Sequence, residues 1–207
     1  MTYRPFAAVT RRVFAGLVFG GVAALAAPAA HALSTAEAET FIEGVVADLR
    51  TLVENGKSGP EGAAEFLSLL ERKASLDAVG KFAVGRSWLE MSDAQKTAYG
   101  AAFRSYISQT YQNRFGEYAG EDVVLNGSVD AGRKGVLVKS LLKRPSAESI
   151  VVEWLVSDRS GETRLSDIVF EGVSLAITLR EIFGGMIESR GGDIDKFIAD
   201  LAASSGA

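Results

Sequence analysis

Between Ser34 and about Glu54, apolar residues fall at Phe41, Val45, Leu49 and Leu52-Val53. These spacings of three and four mark one face of a helix, which Ser34 or Thr35 can cap. The run Asn55-Gly56-Lys57-Ser58-Gly59-Pro60 then predicts a stop and turn. A short helix is expected over about Glu61–Arg72, with Phe66 and Leu69-Leu70, and another over about Ser75–Gly85, with Leu76, Val79 and Phe82. Ser92-Asp93-Ala94-Gln95 has capping-box spacing and opens the longest predicted helix, which runs to about Tyr118. Its stripe positions (Tyr99, Phe103, Tyr106, Ile107, Thr110 or Tyr111, Phe115 and Tyr118) form a wide face, rich in aromatics, that needs a large apolar surface to meet.

The period changes to two beyond residue 121. Asp122–Val129, Lys134–Lys143, Glu148–Ser157 and Glu162–Phe170 read as four strands joined by turns too short for crossover helices. The sheet is therefore an antiparallel meander. One strand sets Ile150, Val152, Trp154 and Val156 on one face, and Val151, Glu153 and Leu155 on the other. Two largely apolar faces mean either that helices cover both or that one face lines a cavity. Helix returns over about Ser174–Arg190, breaks at Gly191-Gly192, and resumes after the cap Asp193. The expected class is α+β, with a four-stranded curved antiparallel sheet wrapped around the long helix.

The first 32 residues belong to none of these elements. Arg4, Arg11 and Arg12 precede an apolar and small-residue run from Val13 to Ala27, and Ala30-His31-Ala32 follows as an A-x-A site. This is the pattern of a secretory signal, so residues 1–32 are expected to be cleaved and residues 33–207 to form a single domain. Thr10-Arg11-Arg12-Val13-Phe14 also fits a twin-arginine export signal. Three of the 22 Lys and Arg precede residue 33 and all 26 acids follow it, leaving the expected mature domain near −7. Such a charge argues against a nucleic-acid partner and against spontaneous adhesion to anionic lipid.

Candidate chemistry is sparse. The only histidine, His31, lies at the cleavage site, and there is no cysteine. Ser-His-Asp and Cys-His systems are thereby excluded from the expected mature chain, as are His-rich zinc sites. No nucleotide motif is present, and neither cofactor nor metal is expected. Asp167 and Glu171 are the best-placed carboxylates, readable as an acid/base pair, as guides for a ligand headgroup, or as local bonds at the strand-to-helix junction. The apolar surplus has two readings, a generous core or a cavity. For a cavity the candidate lining is Phe103, Tyr106, Ile107, Val138, Val152, Trp154, Phe170, Leu179 and Phe183.

Four ordered segments carry a resemblance: Phe82-Ala83-Val84-Gly85-Arg86-Ser87-Trp88, Gln95 through Tyr106, Ser166-Asp167-Ile168-Val169-Phe170-Glu171-Gly172-Val173-Ser174-Leu175, and Arg180–Phe183 followed by Arg190 through Ile198. The chain resembles the MlaC family, periplasmic phospholipid-binding components of a lipid ABC transport system. The resemblance implies a monomeric carrier with no catalytic residue, built from NTF2-like elements around a deep hydrophobic pocket. Its cargo would be a phospholipid, or a hopanoid-type lipid in a related branch. Its partners would be an inner-membrane lipid ABC transporter complex and an outer-membrane lipid-transfer complex. The family's Gly-Arg motif maps onto Gly85-Arg86, which makes Arg86 a headgroup candidate, and its junction maps onto Asp167 and Glu171-Gly172-Val173-Ser174. Trp154 stands where a tyrosine is common, and Glu162-Thr163-Arg164-Leu165 where many members have an aromatic. The competing expectation is a structural or adaptor protein of the envelope, which would have a filled core.

Overall fold

The computed structural model describes residues 33–55, 59–115, 121–145 and 147–204. The expected signal segment and Tyr118 lie outside the described residues. The helices are α1 (Thr35–Glu54), α2 (Gly59–Lys73), α3 (Leu76–Val84), α4 (Ser87–Glu90), α5 (Asp93–Phe115), α6 (Leu175–Ser189) and α7 (Ile194–Ser204). The strands are β1 (Asp122–Asp130), β2 (Val136–Arg144), β3 (Ala147–Ser157), β4 (Arg164–Phe170) and β5 (Val173–Ser174).

Local chemistry sets the helix starts. Ser34 Oγ accepts from the Glu37 N–H at 3.3 Å, while the Ser34 N–H donates to the Glu37 carboxylate at 2.9 Å. The same reciprocal pair joins Ser92 and Gln95 at the head of α5, at 3.2 and 3.0 Å. Each box satisfies amides that the first helical turn leaves without partners. Asp193 accepts from the Lys196 N–H at 3.1 Å before α7. That backbone bond and the Lys196 ammonium hold its carboxyl below the usual range.

The five strands run in sequence order as an antiparallel meander, with one strand more than the pattern predicts. The addition is β5, which follows a two-residue turn with φ 48° at Glu171 and 80° at Gly172. Positive φ at both central residues is the geometry that suits the twist of a tight hairpin. Irregularities in pairing bend the sheet. In β1, Asn126 and Gly127 fall between the pairs Leu125↔Ser140 and Ser128↔Val138, and in β4 Ser166 is the extra residue between Leu165 and Asp167. Bulges of this kind increase twist and bend the bulged strand.

Helix α1 lies against β1 and β2, and α6 and α3 against β4, whereas the long helix α5 packs mainly on α7 and α2. The sheet therefore curls over α1, and Tyr99, Phe103 and Tyr106 of the aromatic stripe on α5 find their apolar surface elsewhere. That surface comes from Phe183 of α6 and Phe197 of α7. Phe183 lies 6.2 Å from Phe103, 5.5 Å from Tyr106 and 5.6 Å from Phe197, ring centre to ring centre and edge to face. Tyr99 is buried beside them and donates to the Gly80 carbonyl at 2.8 Å, and burial pushes its hydroxyl pKa up. A second buried cluster joins Ala38 and Ile42 of α1 to Val136, Val138, Val152, Trp154 and Val156 of the sheet. The opposite sheet face sets Lys139 and Glu153 as cross-strand partners among its apolar residues and is partly open to solvent, with Val129 50% and Val151 42% exposed.

Candidate functional site

Between the helical cluster and the sheet cluster lies a cavity of about 280 Å³. One wall is the concave side of the sheet: Val123, Leu142, Val152, Trp154, Leu165, Ile168 and Phe170. The facing wall is helical, with Val46, Leu49 and Val53 of α1, Leu69 and Leu70 of α2, Val79 of α3, Phe103 and Ile107 of α5, and Leu179 of α6. Alternation along β3 explains its share, because Val152 and Trp154 point to the same side, two residues apart. The Trp154 indole is held in place by donating to Ser140 Oγ at 2.9 Å, which in turn donates to the Val152 carbonyl at 2.9 Å. No polar atom of that chain is left unpaired to face an apolar ligand.

Six of the nine lining candidates border this cavity: Phe103, Ile107, Val152, Trp154, Phe170 and Leu179. The other three do not. Val138 is fully buried in the cluster that α1 forms with the sheet, because the N-terminal half of α1 covers that end of β2. Phe183 is fully buried within the helical cluster, and Tyr106 packs against it. Periodicity marked them as apolar without revealing which partner they meet. The α1–α2 wall, by contrast, was absent from the candidates. Its signal was that the apolar stripe of α1 continues through Leu49 and Val53 to the helix end.

The polar candidates separate. Arg86 is exposed at the start of α4 and does not border the cavity. Asp167 does, but its carboxylate is occupied. Oδ1 accepts from the Ile168 and Ala176 N–H groups at 2.9 and 3.0 Å, and Oδ2 accepts from the Ser174 hydroxyl. Ser174 Oγ accepts from the Ile177 N–H at 3.1 Å, so the two residues together serve the first turn of α6. Glu171 lies away from the cavity in the β4–β5 turn, where its carboxylate accepts from the Val151 N–H at 2.6 Å and extends the β3 ladder by one rung. Each carboxylate has its own set of hydrogen-bond donors.

The charged residues that sequence reasoning overlooked are Arg50 and Lys73, both in the cavity lining with Glu121 and Asp167. Arg50 pairs with Asp122 at 2.5 Å, and Lys73 pairs with Asp48 at 3.1 Å while lying 5.8 Å from the centre of the Phe41 ring. The arrangement is an apolar chamber with a few ion pairs at its border.

The family model described as MlaC protein matches residues 39–203 of this chain. The fold is similar to that of a phospholipid-binding protein from Ralstonia solanacearum, whose structure was solved in complex with a phospholipid. The likeness has a TM-score of 0.67 at 20% identity and covers 84% of this chain and 98% of that one.

Proposed function

The chain belongs to the MlaC family, and from that premise we propose that its cavity holds phospholipid acyl tails while the protein carries the lipid between an outer-membrane and an inner-membrane transport complex. A general lipid-carrying role in the periplasm, one of transport and not of catalysis, comes with the family. The observation that supports the finer reading is the chamber itself, walled on both sides by aliphatic and aromatic side chains.

Energetics suit such a task. Two tails of about 16 carbons hold roughly 30 methylenes, and at about 0.8 kcal/mol each their exposure to water costs on the order of 25 kcal/mol. A lipid crosses an aqueous compartment only if something replaces that contact. At about 280 Å³ the cavity falls at the lower edge of ordinary ligand pockets, which run from roughly 300 to 1,000 Å³. A two-tailed lipid is larger than the ligands of such pockets, so loading requires the walls to part. The bordering ion pairs are suited to this, since exposed pairs contribute little to stability and open easily.

Native mass spectrometry of the protein purified from periplasm, with extraction and identification of its lipid, tests the proposal. One diacyl phospholipid per chain is expected. A hopanoid-type lipid would keep the carrier and change its cargo. A protein that stays empty after incubation with phospholipid vesicles would overturn the reading.

The same reading takes residues 1–32 as an export signal cleaved after Ala32. The Leu33 N–H donates to Asp158 Oδ2 at 3.2 Å, immediately before the Ser34 cap. In a chain that begins at Leu33 this nitrogen is an ammonium, and the contact becomes charged at both ends. A hydrogen bond to a charged group contributes about 1.5–3 kcal/mol. Asp158→Asn is therefore expected to lower the melting temperature of the processed protein by several degrees. Acetylating Leu33 should remove most of the difference between the two proteins. An Asp158→Asn effect that is the same with and without the acetyl group would mean that the bond does not depend on a free ammonium at Leu33.

A further inference from the structure

We infer that Arg50 is the receptor for the anionic phosphodiester of a bound lipid, exchanging its ion pair with Asp122 for the headgroup. This rests on the carrier reading and adds to it which atoms meet the polar end of the cargo.

The cavity lining holds four ionisable residues among those described, Arg50, Lys73, Glu121 and Asp167. The two acids repel a phosphate, and Asp167 is engaged with the first turn of α6. Choice between the two cations follows from their surroundings. The Lys73 side chain is 28% exposed, paired with Asp48 and laid over Phe41, on the α2 flank of α1. Arg50 is 49% exposed and reaches the other flank, where its partner Asp122 opens β1 and is itself 55% exposed. It therefore stands where the apolar lining meets solvent, with its stem beside the hydrocarbon and its head outward.

Helical geometry puts Arg50 in line with the tails. Val46 and Val53, which border the cavity, lie four residues before and three after it, so all three occupy neighbouring positions on α1. A lipid whose tails lie against Val46, Leu49 and Val53 brings its first polar group to the guanidinium. That group offers five N–H donors in a planar fork suited to phosphate oxygens, and Asp122 accepts from Nη2 alone in the bonds described. Both members of the pair are about half exposed, so giving up one carboxylate for one phosphodiester changes the count of charged contacts little.

The test uses delipidated protein equilibrated with micelles of an uncharged detergent containing equal amounts of phosphatidylglycerol and diacylglycerol with identical tails. The lipids retained after gel filtration are extracted and counted. Arg50→Gln is expected to lower the phosphatidylglycerol-to-diacylglycerol ratio about tenfold, the scale of a lost charge-assisted hydrogen bond, without changing diacylglycerol uptake. Asp122→Asn, which frees the guanidinium, should raise the ratio severalfold, and Lys73→Gln should leave it unchanged. Opposite shifts from two variants at one ion pair cannot come from a common folding defect. A ratio insensitive to Arg50, or one that falls only with Lys73→Gln, would overturn the inference while the carrier reading stands. Displacement of the lipid by glycerol phosphate alone would instead assign the cation to a soluble anion and overturn it too. Wild-type protein that takes up neither lipid would overturn the carrier reading, and this inference with it.

Discussion

Val79→Trp is expected to abolish lipid retention while leaving the melting temperature unchanged or raised. Val79 lies on α3, is half-buried, and borders the cavity from the helical side. An indole there is expected to project into the chamber and occupy part of its roughly 280 Å³, a volume that a two-tailed lipid already exceeds. Cavity-filling substitutions commonly add about 0.5–2 kcal/mol when the new side chain meets existing walls without displacing them. Val53→Trp, on α1, tests the same idea from another side of the chamber.

Stability and retention should therefore move apart, which substitutions at Phe103 or Trp154 cannot achieve. Those two residues line the cavity and also belong to the packed clusters. The Phe103 ring fills the approach to Gly80, where an added Cβ would come within 3.1 Å of it. Truncating such a residue to alanine costs about 3–5 kcal/mol and unfolds the wall along with the site. Lipid co-purifying with Val79→Trp, measured against wild type by extraction and paired with a thermal melt, decides the matter. Wild-type amounts of lipid in a stable Val79→Trp protein would mean that the tails lie elsewhere.

What was readable in the sequence and what was not divide along local and non-local physics. The capping boxes at Ser34 and Ser92 are complete within four residues, and the starts of α1 and α5 follow from them. The meander follows from turn lengths alone. β5 escaped because its turn puts a glutamate at φ 48°, a position where asparagine or glycine would have announced the hairpin. α4 escaped because four residues hold too little periodicity to register. The site was legible as a stripe on each element but not as a place. Val138 and Trp154 are cross-strand partners on one sheet face, yet the first is fully buried in the cluster that α1 forms with the sheet while the second also borders the cavity. Only the line taken by α1 across the sheet distinguishes them, and no local pattern in β2 or β3 encodes that line. Arg50 was invisible for the same reason: a charged residue near the end of an amphipathic helix is unremarkable until Asp122 and the open border of the cavity are placed beside it.

The largest loss of stability from a single small change is expected at Gly135, in the loop that joins β1 to β2. Gly135 has φ 116° and ψ −141°, a combination that residues with a side chain scarcely adopt. A Cβ there would also come within 2.0 Å of the Val156 carbonyl oxygen and 3.0 Å of Ser157 Cα. Both are backbone atoms of β3, pinned by the Val136↔Val156 pair, so neither can move aside without breaking the ladder. Strain of this kind costs about 1–3 kcal/mol by itself, and the clash adds to it, so Gly135→Ala should lose about 3 kcal/mol or more in urea unfolding. Gly132, three residues earlier, is the internal control. It too has a positive φ, 60°, but nothing lies within 4 Å of its would-be Cβ. Gly132→Ala should cost only about 1 kcal/mol, the ordinary difference for a left-handed position. Equal losses at the two glycines would mean that the backbone conformation, and not the approach to β3, sets the penalty. The unequal result has a functional corollary. Val136 and Val156 anchor the strands that carry Leu142 and Trp154 to the cavity, so Gly135→Ala should lose lipid only in proportion to the fraction unfolded, the reverse of the separation expected for Val79→Trp.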